Sequence, residues 1–265
     1  MTKPAVPAVL GRPAHAALRR ALARSGVRLV MCRSAAQLQR TLLTSLSDAV
    51  VVDARAAGAG EALLRCRRAW PAVPRFVYSA FRPDDGELLR SCLGEAGAIP
   101  LVEGVDDAVL ADLVLPRTAS AARRAALEPA AQALRLSEPL QRRAWTEVLL
   151  RLGTPIRTAD IARTLRVSRE HLSRQFGAGG APNIKRVIDL ARTCTAADLL
   201  ANPGYSVRSV ARILRFASAS HLSGASRRIA GVPASQLGAL GIRGVLRSFV
   251  RDGRMRSRLA GAPTS

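Results

Sequence analysis

Five polar residues between positions 168 and 174 have the types and spacing needed to hydrogen-bond base edges in a DNA groove. They are Ser168, Arg169, Glu170, Ser173 and Arg174. On a helix, positions 170, 173 and 174 are three and four residues apart and therefore share one face. Guanidinium, hydroxyl and carboxylate groups all pair with base edges in the major groove. This face is therefore a candidate for base contacts.

The segment around these residues occurs twice. Residues 161–167 (IARTLRV) align with residues 210–216 (VARILRF), and after a one-residue insertion Ser168 aligns with Ser218. A repeat of this kind indicates two copies of one supersecondary unit. The second copy supplies a corresponding set of candidate DNA-contact residues: Ser218, Ala219, Ser220, Ser223 and Arg227.

Each copy has the pattern of a helix, a short turn and a second helix. In the first copy, the small and apolar positions predicted to face inward are Ile161, Ala162, Leu165, Val167, Leu172 and Phe176. Ser168 is a suitable N-cap for the second helix. The pattern predicts a helix-turn-helix unit whose second helix enters the major groove.

A predicted helix at residues 183–201 connects the two copies. It spans about 28 Å at the standard rise per residue. Successive major-groove faces on one side of DNA are about 34 Å apart. One chain could therefore occupy two adjacent groove segments.

The charge points to the same partner. The chain has 41 Lys and Arg against 19 Asp and Glu, and of the net charge of +22 only +4 lies in residues 1–115. Basic side chains release counterions from phosphates, so we expect the second half to bind double-stranded DNA. No apolar run reaches the roughly 20 residues of a membrane span, and prolines interrupt any secretion signal near the start. We expect no membrane association.

The sequence shows no spacing of residues that is typical of an enzyme active site. The histidines and cysteines show no triad or metal-ligand spacing: His15, His171, His221, Cys32, Cys66, Cys92 and Cys194. Gly58-Ala59-Gly60 is too short for a phosphate loop, and no cysteine has the context of a DNA-repair nucleophile. We expect no enzymatic activity, no cofactor and no metal, in a reduced, cytoplasmic protein.

The first half alternates strand and helix patterns. Predicted strands are 5–10, 27–32, 49–53, 75–79 and 99–102, and predicted helices are 13–24, 35–45, 60–69, 84–94 and 107–115. This alternation predicts a doubly wound, flavodoxin-like α/β domain at residues 1–115. A helical linker (116–138), an all-α DNA-binding domain (139–240) and a basic tail (241–265) are expected to follow.

The tail carries arginines on one side of a predicted helix and apolar groups on the other. The arginines are Arg243, Arg247, Arg251, Arg254, Arg256 and Arg258, and the apolar residues are Val245, Leu246, Phe249 and Val250. A short basic amphipathic helix and a disordered solvated tail are both consistent with this pattern.

Residues 139–240 resemble the AraC/XylS family of regulators. The resemblance rests on the two repeated segments, the linker pattern Arg192…Ala196…Leu199-Leu200 and the terminal Gly231-Val232-Pro233. It covers roughly 40% of the chain. It implies a seven-helix domain that binds promoter DNA as an activator or repressor, with RNA polymerase as a further partner.

The second unit departs from the family pattern. Arg215 replaces the usual glycine of the turn, and Leu222 replaces a usual aromatic. Gly224 and Ser226 stand where the first unit has Arg174 and Phe176. We therefore expect the second unit to contribute less base recognition and more backbone contact.

The first half resembles the receiver domain of response regulators. Asp53 follows the third predicted strand, where a receiver has its phosphoacceptor, and Ser79 ends the fourth. Gly11-Arg12 replaces the acidic pair that holds Mg²⁺, and residues 101–105 contain no lysine. We expect Asp53 to cap a loop or pair with Arg55, and the domain to serve in homodimerisation or partner docking.

Two alternatives remain open at this point. A nonspecific architectural DNA-binding protein would carry the same charge, and a phosphorylation-controlled response regulator would have the same domain order. The ratio of specific to nonspecific affinity separates the first from a regulator.

Overall fold

The structure, a computed structural model, describes residues 3–260 except for the side chains of residues 177–178 and 253–260. The chain divides into two compact units. The first contains the residues up to Ala122 together with Asn202–Ser209. The second contains Arg123–Ala201 and the residues from Val210 onward.

The first unit is built on a parallel sheet. Its strands among the described residues are β1 (Ala5–Val9), β2 (Arg28–Met31), β3 (Val50–Val52), β4 (Arg75–Ser79) and β5 (Ile99–Val102). Their order is β2-β1-β3-β4-β5, and every pairing is parallel. This is the flavodoxin-like doubly wound order. The predicted α/β fold class is confirmed, and all five predicted strands are present.

Burial on both faces explains why the central strands are so apolar. Val50, Val51 and Val52 are all buried, and Val51 pairs with Ala8 on one side and Phe76 on the other. A parallel strand covered by helices on both faces is expected to be a continuous run of β-branched residues. The sequence of β3 therefore dictates its central position.

Helices cover the sheet. They are α1 (Arg12–Leu22), α2 (Ala35–Thr44), α3 (Ala59–Ala69), α4 (Gly86–Leu89) and α5 (Leu110–Val114). The predicted helix at 84–94 is instead broken into a 3-10 turn, the short α4 and a π-helical turn at Arg90–Glu95. The Asp85 carboxylate accepts the Arg82 N–H at 2.7 Å and so caps the 3-10 turn with which this segment begins.

The predicted helix at 107–115 starts three residues late, at Leu110. Two carboxylates upstream hold a turn instead. Asp106 accepts the Val102 N–H at 2.7 Å, and Asp107 accepts the Gly104 N–H at 2.9 Å. Asp side chains compete with helix formation in this way.

Residues 202–209 fold as part of the first unit, although they lie far along the sequence. The Asn202 side chain accepts the Ala72 N–H at 2.9 Å, and the Gly204 N–H donates to the Ala69 carbonyl at 2.7 Å. Tyr205 packs edge-to-face on Trp70 with ring centroids 6.1 Å apart. A Cβ on Gly204 would lie 2.6 Å from the Trp70 ring, so only glycine fits this approach.

The second unit is helical. Its helices, of which α6 and α12 begin in the first unit, are α6 (Ala119–Leu127), α7 (Ala130–Ala133), α8 (Pro139–Leu150), α9 (Thr158–Leu165), α10 (Arg169–Gly177), α11 (Ile184–Leu200), α12 (Val207–Ile213), α13 (Ala219–Ala230) and α14 (Leu237–Ala260). Helix α11 is its centre and packs against α8, α13 and α14. Cys194 is fully buried in α11 as a small apolar group, as expected. Arg123 is also buried and forms a salt bridge with Asp198 at 3.0 Å.

Helix α14 bends at Gly241, whose φ is +59°. Beyond the bend, Val245 and Phe249 are buried, while Arg243, Arg247 and Arg251 are exposed. Over these residues the tail is thus the basic amphipathic helix rather than a solvated coil. The side chains of Arg254, Arg256 and Arg258 lie outside the described residues.

In the described part of the chain, no single helix is both long enough and apolar enough to cross a membrane. One pair of helices that meet at 68°, Ala219–Ala230 and Ala234–Asp252, passes by length and composition when taken together.

Candidate nucleic-acid interface

The first helix-turn-helix unit consists of α9, a tight turn and α10. Arg166 closes α9 in the left-handed region with φ +57°, and the Val167 N–H returns to the Ala162 carbonyl at 3.1 Å. Ser168 then caps α10, since its hydroxyl accepts the His171 N–H at 3.1 Å. The predicted cap is confirmed.

Apolar packing holds the two helices of this unit together. Ile161 and Ala162 of α9 and Leu172 and Phe176 of α10 are buried, as the sequence predicts. Val167 differs from the prediction because it is only partly buried in the turn. The opposite face of α10 is left for other contacts.

That face presents the predicted set of polar groups to solvent. All five of its candidate residues are exposed: Ser168, Arg169, Glu170, Ser173 and Arg174. Among the described residues, no salt bridge involves Glu170 or Arg174. The described residues neutralise neither charge, so both are open to a ligand on this face.

The second helix-turn-helix unit has the same backbone geometry. Arg215 closes the turn with φ +54°, and the Phe216 N–H returns to the Ala211 carbonyl at 2.8 Å. The Ser218 hydroxyl accepts the His221 N–H at 3.0 Å and caps α13. The sequence repeat therefore corresponds to a structural repeat. Arginine rather than glycine occupies the left-handed position in both turns.

Helix α13 is continuous over 12 residues despite Gly224. Ser226 replaces a core aromatic, and it is buried with its hydroxyl donating to the Val232 carbonyl at 2.6 Å. That bond satisfies the buried hydroxyl and ties the end of α13 to the following loop. Of the candidate residues, Ser218, Ser220 and Arg227 are exposed, whereas Ala219 and Ser223 are partly buried.

Arg192 of α11 connects the linker helix to the second turn. Its guanidinium carbon lies 4.1 Å from the centroid of the Phe216 ring, and Nη2 donates to the Leu214 carbonyl at 3.1 Å. Burial lowers the pKa of this guanidinium, and nearby Asp189 acts in the opposite sense. Arginine stays charged despite this shift. Arg192 therefore fixes the turn of the second helix-turn-helix unit and also places a positive charge beside it.

A cluster of cations lies beside α10, and it brings Arg169, a predicted DNA-contact residue, together with three cations that were not predicted as contacts. Arg157, Arg169, Lys185 and Arg192 line one cavity of about 420 Å³. The spacing of positions 185 and 192 on one helix indicates a shared face. Nothing in the sequence shows that the residue before α9 meets that face, because this contact depends on how α9 packs on α11.

In the α/β unit, Asp53 lies at the carboxyl end of β3 and accepts hydrogen bonds from its neighbours. Its Oδ1 accepts a hydrogen bond from the Ser79 hydroxyl and one from the Arg55 N–H at 3.0 Å. The Arg55 guanidinium pairs instead with Asp85, at 2.5 Å. Asp53 therefore caps the loop, which is one of the two roles expected for it, and the Arg55 guanidinium pairs with Asp85 rather than with Asp53.

The four cysteines are buried and form no disulfide. Burial raises the pKa of the Cys66 thiol to about 11 and that of Cys194 further. Across the described residues, no group of three or more His, Cys, Asp or Glu side chains is arranged to hold a metal ion.

Residues 161–239 match the family model described as a helix-turn-helix domain. The match includes both repeats and confirms a helix-turn-helix domain at these residues. No curated protein matches the chain.

Among solved structures, the chain is similar to full-length FixJ from B. japonicum, with 17% identity and a TM-score of 0.39. The alignment covers 86% of this chain and 98% of the FixJ chain. At this TM-score the similarity supports no inference about the present chain.

Proposed function

We propose that this protein is a transcriptional regulator that binds promoter DNA through two recognition helices, α10 and α13, in adjacent major-groove segments. The observation that carries the proposal is the α10 face, where Glu170, Ser173 and Arg174 are exposed. Groups of these types hydrogen-bond base edges. The matched helix-turn-helix domain and the excess of basic residues after position 115 support the same partner.

The two recognition helices have unequal tasks in this proposal. Helix α10 carries the base contacts through Glu170, Ser173 and Arg174, with Ser168 and Arg169 at the backbone. Helix α13 offers small hydroxyl groups and Arg227, which favour contacts to phosphates that position the protein without specifying sequence. Gly224, in place of an arginine, leaves the middle of α13 without a long side chain.

The α/β unit supplies the regulatory input in this proposal. We infer that it docks a protein partner or a second copy of the chain, and that DNA-bound protein contacts RNA polymerase in the cytoplasm. A sheet of this order supports many functions, so the fold supports an interaction module without naming its partner.

Phosphorylation of Asp53 is not part of the proposed mechanism. Its carboxylate is engaged by Ser79 and by the Arg55 N–H, and Gly11-Arg12 stands where carboxylates would hold Mg²⁺. Phosphoryl transfer needs such charge neutralisation. Intact-mass analysis after incubation with acetyl phosphate and Mg²⁺ should show no adduct. An adduct that disappears in Asp53→Asn would overturn this part of the proposal.

Mapping of bound DNA across the genome tests the function as a whole. The wild-type chain should occupy a limited set of sites that share a sequence, located upstream of genes. An Arg174→Ala chain at equal abundance should show a weaker preference for these sites, relaxed at one base pair. Uniform coverage by the wild type would favour the architectural alternative.

A further inference from the structure

The cavity beside α10 gathers positive charge from separate elements. It is lined by Arg157 before α9, Arg169 at the start of α10, and Lys185 and Arg192 on α11. Asp189 is the one carboxylate among its lining residues. The lining therefore carries a net charge of +3 around about 420 Å³ of open space.

The cations of this cavity are available to a ligand. Arg157, Arg169 and Lys185 are exposed, and no salt bridge among the described residues involves any of them. Basic side chains held together without counter-charges attract anions strongly. Ile156 and Ile188 are buried and supply the large apolar side chains of the lining.

The start of α9 also lines the cavity. Thr158 and Ala159 are its first two residues, and amides in a first helical turn have no acceptor within their own helix. A helix start favours phosphate oxygens, and here Asp160 in the same turn accepts the Arg157 N–H at 2.9 Å and offsets part of that effect. The amides add to a site that the four cations already define.

The cavity is lined by residues of the first helix-turn-helix unit and of the linker helix α11, and one of its lining residues contacts the second helix-turn-helix unit. Arg169 begins the first recognition helix, and Arg192 stacks on Phe216 in the turn of the second unit. On DNA, the stretch between two adjacent major-groove segments presents the phosphates that flank the minor groove. A duplex held by both recognition helices would bring those phosphates to this cavity.

We propose that this cavity, the phosphate pocket, binds backbone phosphates of the DNA segment between the two recognition helices. The proposal rests on the proposed DNA-binding function and adds a specific set of contacts to it. Arg157 and Lys185 contact phosphate directly, whereas Arg192 is largely committed to Phe216. Asp189 opposes binding. The pocket supplies affinity and register without sequence preference.

The test compares two charge-matched double variants of the full chain. Arg157→Gln/Lys185→Gln removes two cations from the pocket. Arg33→Gln/Arg40→Gln, the control, removes two exposed cations from the α/β unit. Affinity is measured against salt concentration on a mapped site and on a random duplex. The pocket variant should lower the log–log salt slope by about 1.8, at about 0.9 for each lost contact, and weaken both duplexes by similar factors. The control variant should leave the slope unchanged.

The variant Asp189→Asn should change the DNA affinity in the opposite direction from the loss of a pocket cation. A purely structural role of Asp189 would not produce tighter binding. Removing the one carboxylate should tighten binding to both duplexes. Uncharged methylphosphonate linkages at single positions of the mapped site should locate the contact. A methylphosphonate at one position between the two groove segments should lower the affinity of the wild type and leave the affinity of the pocket variant unchanged.

Three results would contradict the phosphate pocket while leaving the regulator function intact. The first is an equal salt slope for the pocket and control variants. The second is a loss of affinity in the pocket variant that is confined to the mapped site. The third is that millimolar inorganic phosphate occupies the pocket and keeps DNA out of it, which would indicate a small-anion site. A wild-type chain that fails to prefer its mapped site over random DNA would instead contradict the proposed function.

Discussion

Arg174 shows how one residue can carry specificity. Its guanidinium is exposed on α10, beside Ser173 and one turn from Glu170, and the described contacts give it no counter-ion. A guanidinium in this position can form two parallel hydrogen bonds to guanine O6 and N7. The corresponding position of α13 is Gly224, so the two recognition helices differ most at this point.

Replacing Arg174 with alanine should cost about 1–3 kcal/mol of binding free energy on the preferred site and relax specificity at one base pair. Fluorescence-anisotropy titrations of the mapped site and its single-base variants measure this. Arg163→Ala, an exposed arginine on α9, is the control. An equal loss on random DNA would assign Arg174 to phosphate instead.

At the scale of the element, both helix-turn-helix turns hold an arginine in the left-handed backbone region. Arg166 has φ +57° and Arg215 has φ +54°. A side chain other than glycine costs about 1 kcal/mol or more there. The two units thus share a backbone geometry that their sequences do not favour.

The variant Arg166→Gly should therefore raise the free energy of unfolding by about 1 kcal/mol, less whatever the extra flexibility of the unfolded chain removes. Arg166→Ala is the matched control, because it removes the same side chain but keeps the strain. Chemical denaturation of both variants decides between them. Equal stability of the Gly and Ala variants would show that the backbone is unstrained at this position.

Helix α14 combines packing and charge in one element. Val245 and Phe249 are buried, and Gly238 lies so close to α11 that an added Cβ would be 2.3 Å from the Leu200 carbonyl. Removal of the chain after Ala239 would therefore damage the core of the second unit as well as its charge. Substitution of the exposed arginines avoids this problem.

Changing Arg243, Arg247 and Arg251 to glutamine should weaken specific and nonspecific binding by similar factors. The log–log salt slope should fall by about 0.9 for each arginine that contacts phosphate. Salt titrations on both duplexes measure it, and thermal unfolding confirms that the fold is retained. An unchanged slope would show that α14 does not touch DNA.

At the scale of the whole molecule, sequence patterns within a segment predicted the features that depend only on interactions within that segment. Five strands, the inward faces of α9 and α10 and the caps Ser168 and Ser218 follow from side-chain periodicity and hydrogen-bonding chemistry. The break in the predicted helix at 84–94 does not follow. Asp85 in this segment pairs with an arginine 30 positions away, a contact that no local pattern shows.

Long-range packing decides the features that sequence patterns miss. The glycine at 204 predicts a turn, but its contact with Trp70 joins residues more than 130 positions apart. The phosphate pocket likewise depends on α9 and α10 meeting α11. The polar face of α10 lies within one helix, and for that reason the sequence alone predicted its exposure.

The ratio of affinities for a mapped site and for a scrambled duplex of equal length, measured at one physiological salt concentration, tests the central claim most directly. A regulator that recognises sequence through α10 should prefer its site by about a thousandfold or more, and Arg174→Ala should reduce that preference. A ratio within about tenfold of unity for the wild-type chain at that salt concentration would contradict sequence-specific regulation and identify a protein that binds DNA by its charge.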